Sequence, residues 1–194
     1  MKNKLIFEFS KNKTDGDSSL NNLLGGKGAN LAEMSNMKIP VPPGFTITTE
    51  VCNYFTENNK LPDNLDNEIR KAVKNLESLS DKSFGGEGTP LLLSVRSGGR
   101  VSMPGMMDSV LNIGLNDSNV FQLAEAFNDE RFALDSYRRL IQMYSNVVLG
   151  VEHERFEAVL ANKKRMDNVV SDADFNVDQL NWIINAYKNT VERF

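Results

Sequence analysis

Two short stretches of the chain hold the residue types that grip phosphate. In Gly25-Gly26-Lys27-Gly28-Ala29-Asn30 a lysine stands among small residues, which lets backbone amides approach an anion. The apolar pattern that follows through Leu31 and Met34 places a helix N-terminus beside it. This is a phosphate site in outline, with Lys27 supplying charge and Gly26 and Gly28 supplying room. It is not a Walker A loop, because the four-residue spacer and the Ser or Thr after the lysine are missing. Taken alone, a helix-entry turn with a solvated lysine is the commoner arrangement. Arg96 closes the apolar, β-favouring run from Leu91 to Val95, just before the loop Ser97-Gly98-Gly99. Ligands of open α/β sheets gather at the carboxyl ends of strands, and a guanidinium fork binds two phosphate oxygens at once. The alternative for Arg96 is a structural ion pair. Arg100 is a second candidate, set against a solvated loop arginine.

Other residues with chemical potential read more plainly. Met103-Pro104-Gly105-Met106-Met107-Asp108 cannot form regular helix, so it is a loop whose flexible apolar side chains cover a ligand or pack in a core. His153, the only histidine, lies in Glu152-His153-Glu154-Arg155 at a predicted helix start and reads as solvated or capping. Cys52 has no second cysteine or adjacent histidine and reads as a small buried residue. Trp182, between Leu180 and Ile184, reads as packing. The carboxylates are scattered, and no metal site is assigned.

The elements that must position Lys27 and Arg96 follow from periodicity. Leu5 to Phe9 alternate as a strand, Val41-Pro42-Pro43-Gly44 is extended, and Phe45 to Thr48 form a short strand. Thr48 or Thr49 caps a helix through Val51, Tyr54 and Phe55 that ends near Asn58 and Asn59. A second helix starts near Pro62 with Leu65, Ile69, Ala72, Leu76 and Leu79 on one face. Ser80 to Thr89 is a loop, and Leu91 to Val95 a buried strand. From about Asn116 four helical patterns follow. The clearest places Ala133, Tyr137, Leu140, Ile141, Tyr144 and Val148 on one stripe, with Gly150 as its stop. The polar stretch from Asp167 to Asn176 is expected to be a mobile connection. The division is an α/β part over residues 1–115 and a helical part over 116–194.

Composition excludes several classes. The 194 residues are 40% hydrophobic and 25% charged, ordinary for a globular chain, with no apolar run near the ~18 residues of a membrane span. A formal net charge of −4 gives no general attraction to nucleic acid or anionic membrane, so neither is expected as a partner. Lys2 and Lys4 precede Leu5, Ile6 and Phe7, but Glu8 ends that run too early for an export signal. With one cysteine no internal disulfide can form, and a cytoplasmic location is expected.

Four stretches in order resemble one family. They are Leu24-Gly25-Gly26-Lys27-Gly28-Ala29-Asn30-Leu31-Ala32-Glu33-Met34, then Ile39-Pro40-Val41-Pro42-Pro43-Gly44-Phe45-Thr46-Ile47-Thr48, then Ser94-Val95-Arg96-Ser97-Gly98 with Met103 to Asp108, and then Arg131-Phe132-Ala133 with Ser136 to Met143. They resemble the N-terminal region of the pyruvate, phosphate dikinases. The phosphoenolpyruvate synthases share the glycine-lysine segment and the Val95-Arg96-Ser97 strand end, and Met103 to Asp108 favours the dikinases.

The resemblance implies an α+β fold, a partial ATP-grasp domain with an α/β subdomain followed by a helical one. It implies a phosphotransferase that interconverts ATP, pyruvate and phosphate with AMP, phosphoenolpyruvate and pyrophosphate through a phosphohistidine. Carried over by position, Lys27 and Arg96 are the catalytic, triphosphate-binding residues, with Gly26, Gly28 and Arg100 joining them in ATP binding. Mg2+ is implied as cofactor, its ligands expected outside this chain, as are the phosphohistidine and the sites for pyruvate, phosphate and phosphoenolpyruvate. The parent enzyme is expected to be a homodimer. The alternatives are a phosphoenolpyruvate synthase-like enzyme and a catalytically silent nucleotide-binding or interaction module.

Overall fold

The computed structural model describes residues 4–98 and 109–194. Arg100 and the segment Met103 to Asp108 lie outside the described residues. By their contacts the described residues fall into two compact units, residues 4–81 with 97–98 and Lys82–Arg96 with 109–194.

In the first unit the alternating residues produce β1 (Ile6–Phe9), which pairs antiparallel with β2 (Gly44–Ile47), Ile6 opposite Ile47 and Phe9 opposite Gly44. Three helices accompany them: α1 (Asn21–Asn36), α2 (Thr49–Asn58) and α3 (Leu65–Ser80). Successive strand side chains face opposite ways, so Ile6 and Phe7 serve different cores. Ile6 packs with Leu5, Val51, Leu65 and Ala72, drawing in α2 and α3. Phe7 packs with Leu24, Ala29 and Ala32 of α1. The α3 stripe is the one expected from Leu65 to Leu76, but Leu79 is 49% exposed, and the helix begins three residues after Pro62, whose carbonyl accepts from the Leu65 amide at 3.0 Å.

Asp15 ties β1 to the chain entering α1. Its Oδ2 accepts from the Glu8 amide at 3.0 Å and lies 2.7 Å from Lys4 Nζ, while its own amide donates to the Glu8 carbonyl at 2.7 Å. Burial pushes the Asp15 carboxyl up. The Lys4 hydrogen bond, the Glu8 amide and the charges of Lys4 and Lys13 outweigh that and hold it below the ordinary carboxylate range.

In the second unit β3 (Leu93–Arg96) pairs antiparallel with β4 (Ser109–Ile113), with an irregularity between Leu93 and Val95. Four helices follow: α4 (Val120–Phe127), α5 (Glu130–Val147), α6 (His153–Asp167) and α7 (Val177–Glu192). Helix α5 is central, packing against β4, α4, α6 and α7. It starts where Asp129 accepts from the Phe132 amide, and its Ala133, Leu134 and Tyr137 meet fully buried Phe156, Leu180, Ile183 and Tyr187. Phe156 stands edge-on to Tyr187 with centroids 4.9 Å apart. The α+β class read from the sequence is the class observed.

Several expectations are corrected. Leu91 to Val95 is not a buried strand: only Leu91 is buried, and Val95 is 54% exposed because the two-stranded sheet leaves one face open. Strand β4 was not expected. Cys52 is exposed, on the outer side of α2. Thr48 occupies the N-cap position of α2 but makes no capping bond, and its buried hydroxyl has no partner among the described residues. Trp182 is 38% exposed with the Lys163 amine 4.9 Å above its ring, so it packs only in part. The connection from Asp167 to Asn176 is anchored: Phe175 is fully buried, Arg131 donates to the Phe175 and Asp172 carbonyls, and Ser171 and Asp174 form a reciprocal cap. Polarity hid these ties, since they run to backbone carbonyls.

The Asp15 pKa is lower folded than unfolded. Its stabilising contribution is therefore fully present above the unfolded value of about 3.9 and is lost as pH falls through the lower folded value. Asp15→Asn is expected to lower the urea midpoint near pH 7 and to flatten its decline between roughly pH 5 and pH 2. An equally steep acid decline in both proteins would refute this role.

Candidate functional site

Helix α1 is broken at its fifth residue. Gly25 has φ 69° and ψ 164°, a region that side-chain-bearing residues enter only with strain. The turn from Asn21 to Leu24 ends there and the helix restarts, so Gly26, Lys27 and Gly28 form the first turn of the segment that runs to Asn36. A glycine turn opening a helix is what the sequence suggested; the helical turn before it was missed. A restarted helix offers amides without intrahelical acceptors and the positive end of its dipole, where an anion is stabilised.

The lysine segment is fixed on both sides. Gly28 is buried, and a Cβ there would stand 2.7 Å from Thr46 Cγ2 and 2.8 Å from Thr46 Oγ1, so its lack of a side chain lets α1 lie close on β2. Ala29 and Ala32 pack beside it in the cluster that includes Phe7 of β1. Ahead of the break, the Thr49 hydroxyl donates to the Asn22 carbonyl at 2.7 Å. Between these anchors Lys27 is half-buried, and its Nζ donates to the Ser97 carbonyl at 3.4 Å. From the sequence Thr46 has no assigned role, and Thr49 is only an alternative cap of α2. A hydroxyl whose partner lies 27 residues away leaves no local pattern.

Arg96 belongs to the second unit, where it is the exposed last residue of β3, opposite Ser109. Its Nε lies 3.4 Å from Ser94 Oγ, a neighbour on the same strand face. The same unit contains an apolar cavity of about 460 Å3, lined by Leu115, Tyr137, Leu140, Ile141, Tyr144 and Lys188 among others, which includes none of the predicted site residues. The Lys188 amine there is paired with Asp117. Among the described residues no three His, Cys, Asp or Glu side chains are placed to hold a metal ion, and no helix is long and apolar enough to cross a membrane.

Residues 21–84, which carry the broken helix, both anchoring threonines and α3, match the family described as pyruvate phosphate dikinase, AMP/ATP-binding domain. The wider chain is 50% identical over 186 residues, 95% of its length, to a pyruvate, phosphate dikinase of Rickettsia conorii. It is 46% identical over 190 residues, 97% of its length, to one from Rhizobium meliloti. A chloroplastic pyruvate, phosphate dikinase of Mesembryanthemum crystallinum is 46% identical over 187 residues, 96% of the chain. The chain is related to the pyruvate, phosphate dikinases. It spans about a fifth of the length of these relatives, 21% of the first two and 20% of the third. The dikinase match places the Gly25 break and Lys27 inside a segment described as nucleotide-binding, whereas Arg96 lies after that segment but within the longer similarity.

If Gly25 is the obligatory break, its replacement differs sharply from that of its neighbour. Gly25→Ala is expected to destabilise the first unit by about 1–3 kcal/mol, through strain at a positive φ. Gly26→Ala is expected to be neutral or stabilising by up to about 1 kcal/mol, because Gly26 is helical and a Cβ there meets only Asn21 Oδ1 at 3.6 Å. Urea unfolding of both variants measures the contrast, and equal effects would contradict the assignment.

Proposed function

We propose that this chain supplies a phosphate-gripping part of the ATP site of a pyruvate, phosphate dikinase. The observation that carries the reading is the helix restart at Gly26-Lys27-Gly28, inside residues that match an AMP/ATP-binding domain. In this reading Lys27 and Arg96 are the catalytic cations and bind the triphosphate, with Gly26, Gly28 and Arg100 completing the binding set. Residues 1–115 act as the phosphate-binding α/β subdomain of a partial ATP-grasp domain and 116–194 as its helical subdomain.

The chemistry suits these residue types. A pyrophosphoryl group in transfer spreads negative charge over its oxygens, and fixed cations stabilise that charge without exchanging a proton. Lys27 contributes a compact charge beside first-turn amides, and Arg96 contributes a planar fork that engages two oxygens. The parent reaction is the interconversion of ATP, pyruvate and phosphate with AMP, phosphoenolpyruvate and pyrophosphate through a phosphohistidine. The phosphohistidine, the Mg2+ ligands and the sites for the other substrates are proposed to lie outside this chain. His153 is not the carrier in this reading, since it is the exposed first residue of α6 beside Glu157. The parent is proposed to be a cytoplasmic homodimer; an exposed free thiol at Cys52 suits a reducing compartment.

Calorimetric titration of the chain with MgATP tests the reading. Lys27→Ala and Arg96→Ala are each expected to weaken binding at least about tenfold, the loss of a charged hydrogen bond worth roughly 1.5–3 kcal/mol. Their circular dichroism is expected to match that of the wild type. Undiminished binding in both variants would remove the assignment.

A further inference from the structure

The corner between β2 and α2, residues 46–49, touches the lysine segment on both sides of Lys27. Downstream, Thr46 occupies the space that a side chain at Gly28 would need. Upstream, Thr49 Oγ1 donates to the Asn22 carbonyl at 2.7 Å. Between the two contacts lies Gly25, where no side chain limits the backbone, so the angle at which the helix restarts must be held by groups outside it. Thr46 only fills space. Thr49 is directional, because its bond fixes the carbonyl three residues before the break. That hydroxyl is not engaged in capping its own helix, whose N-cap residue is Thr48.

We infer that Thr49 is a positioning residue for Lys27: its hydroxyl pins the chain ahead of the Gly25 break and thereby holds the Lys27 ammonium and the first-turn amides in the geometry that receives phosphate. The inference rests on the reading of Lys27 as a triphosphate-binding group. It assigns to a threonine outside the glycine segment a share of ATP affinity that reaches the ligand only through the lysine.

The test is MgATP titration of the 194-residue chain as wild type, Thr49→Val, Thr49→Ser and Lys27→Ala, at several NaCl concentrations. Valine keeps the shape and removes the donor; serine keeps the donor. Thr49→Val is expected to weaken MgATP binding roughly tenfold, comparable to losing the charged hydrogen bond itself. Thr49→Ser is expected to stay within about twofold of wild type, since the donor is retained. Affinity of Thr49→Val is also expected to fall less steeply with salt than that of wild type, because a displaced ammonium contributes less charge attraction. Titrating well below each variant's thermal midpoint prevents loss of folded protein from passing for loss of affinity. Thr49→Ala replaces the valine variant if that one does not fold. A merely structural Thr49 would lower the midpoint and leave affinity and salt dependence unchanged, which overturns the inference alone. A wild-type chain that binds no MgATP, or a Lys27→Ala chain that binds it undiminished, overturns the ATP-site reading and this inference with it.

Discussion

At Gly25 the backbone takes φ 69° and ψ 164°, and the layout of the first unit follows from how that break is accommodated. Ahead of it, Leu20, Leu23 and Leu24 pack on Phe7; after it, Ala29 and Ala32 keep to the same cluster with short side chains. Gly28, Ala29 and Ala32 together let the restarted helix lie close to its neighbours, with Thr46 in contact at Gly28. Close packing of this kind tolerates little added volume. A larger residue on that face would lift the helix, and with it Lys27. The same small residues that suggest an anion site in the sequence are therefore packing residues, and the two readings are compatible: an amide cluster serves an anion only if it is rigidly placed.

The second unit secures its elements differently. Arg138 of α5 is 3% exposed, bonded to Asp135 at 2.8 and 2.9 Å and to Gln142 at 3.3 Å, with an Asp172 carboxylate oxygen 3.9 Å away. Burial pulls the guanidinium pKa down, yet the Asp135 hydrogen bonds and charge hold it above its ordinary value. Tyr187 is pushed up to about 12, chiefly by burial, so its hydroxyl stays protonated near neutral pH and donates to Gln142 at 3.4 Å. Burying such a pair costs much of what its attraction returns. Its effect is to fix which groups meet: α5, α7 and the connection before α7 share one polar cluster, and Arg131 fastens the same connection through two carbonyls.

The sequence was legible where one regular pattern decided the outcome. The stripes of α3, α5 and α7 were readable because each buries most of one helical face, although Leu79, Tyr144 and Val148 at the stripe ends are exposed, and β1 and β2 because alternation and the Pro42-Pro43 pair leave few alternatives. What failed was decided by distant partners. Strand β4 is five residues long with Asn112 at φ 61°, a left-handed residue that breaks alternation and whose side-chain Nδ2 donates to the Ser136 carbonyl. Leu91 to Val95 looked buried because apolar residues run together, but among the described residues the second sheet is two strands wide. Cys52 sits beside buried Val51 yet points outward, a difference of one helical step. Around the candidate Lys27, the glycine turn that opens a helix was legible, whereas the contacts of Thr46 and Thr49 with α1 were visible only once these elements were packed.

The two candidate cations also sit on elements suited to their shapes. A lysine ends in a point charge on a flexible stem, so it gains from first-turn amides that define where an anion sits. An arginine carries its own planar geometry, and the end of β3 need only aim it. Each cation is held by a unit with its own core, Lys27 by the Phe7 cluster and its threonine anchors, Arg96 by a strand paired to β4. Chemistry that stabilises developing charge without moving a proton depends on placement, and a misplacement of about 1 Å can cost roughly 10²-fold in rate. In the proposed site, packing glycines, a hydroxyl tie and a strand pairing would therefore matter as much as the cations, because they set the positions of groups whose effect falls steeply with distance.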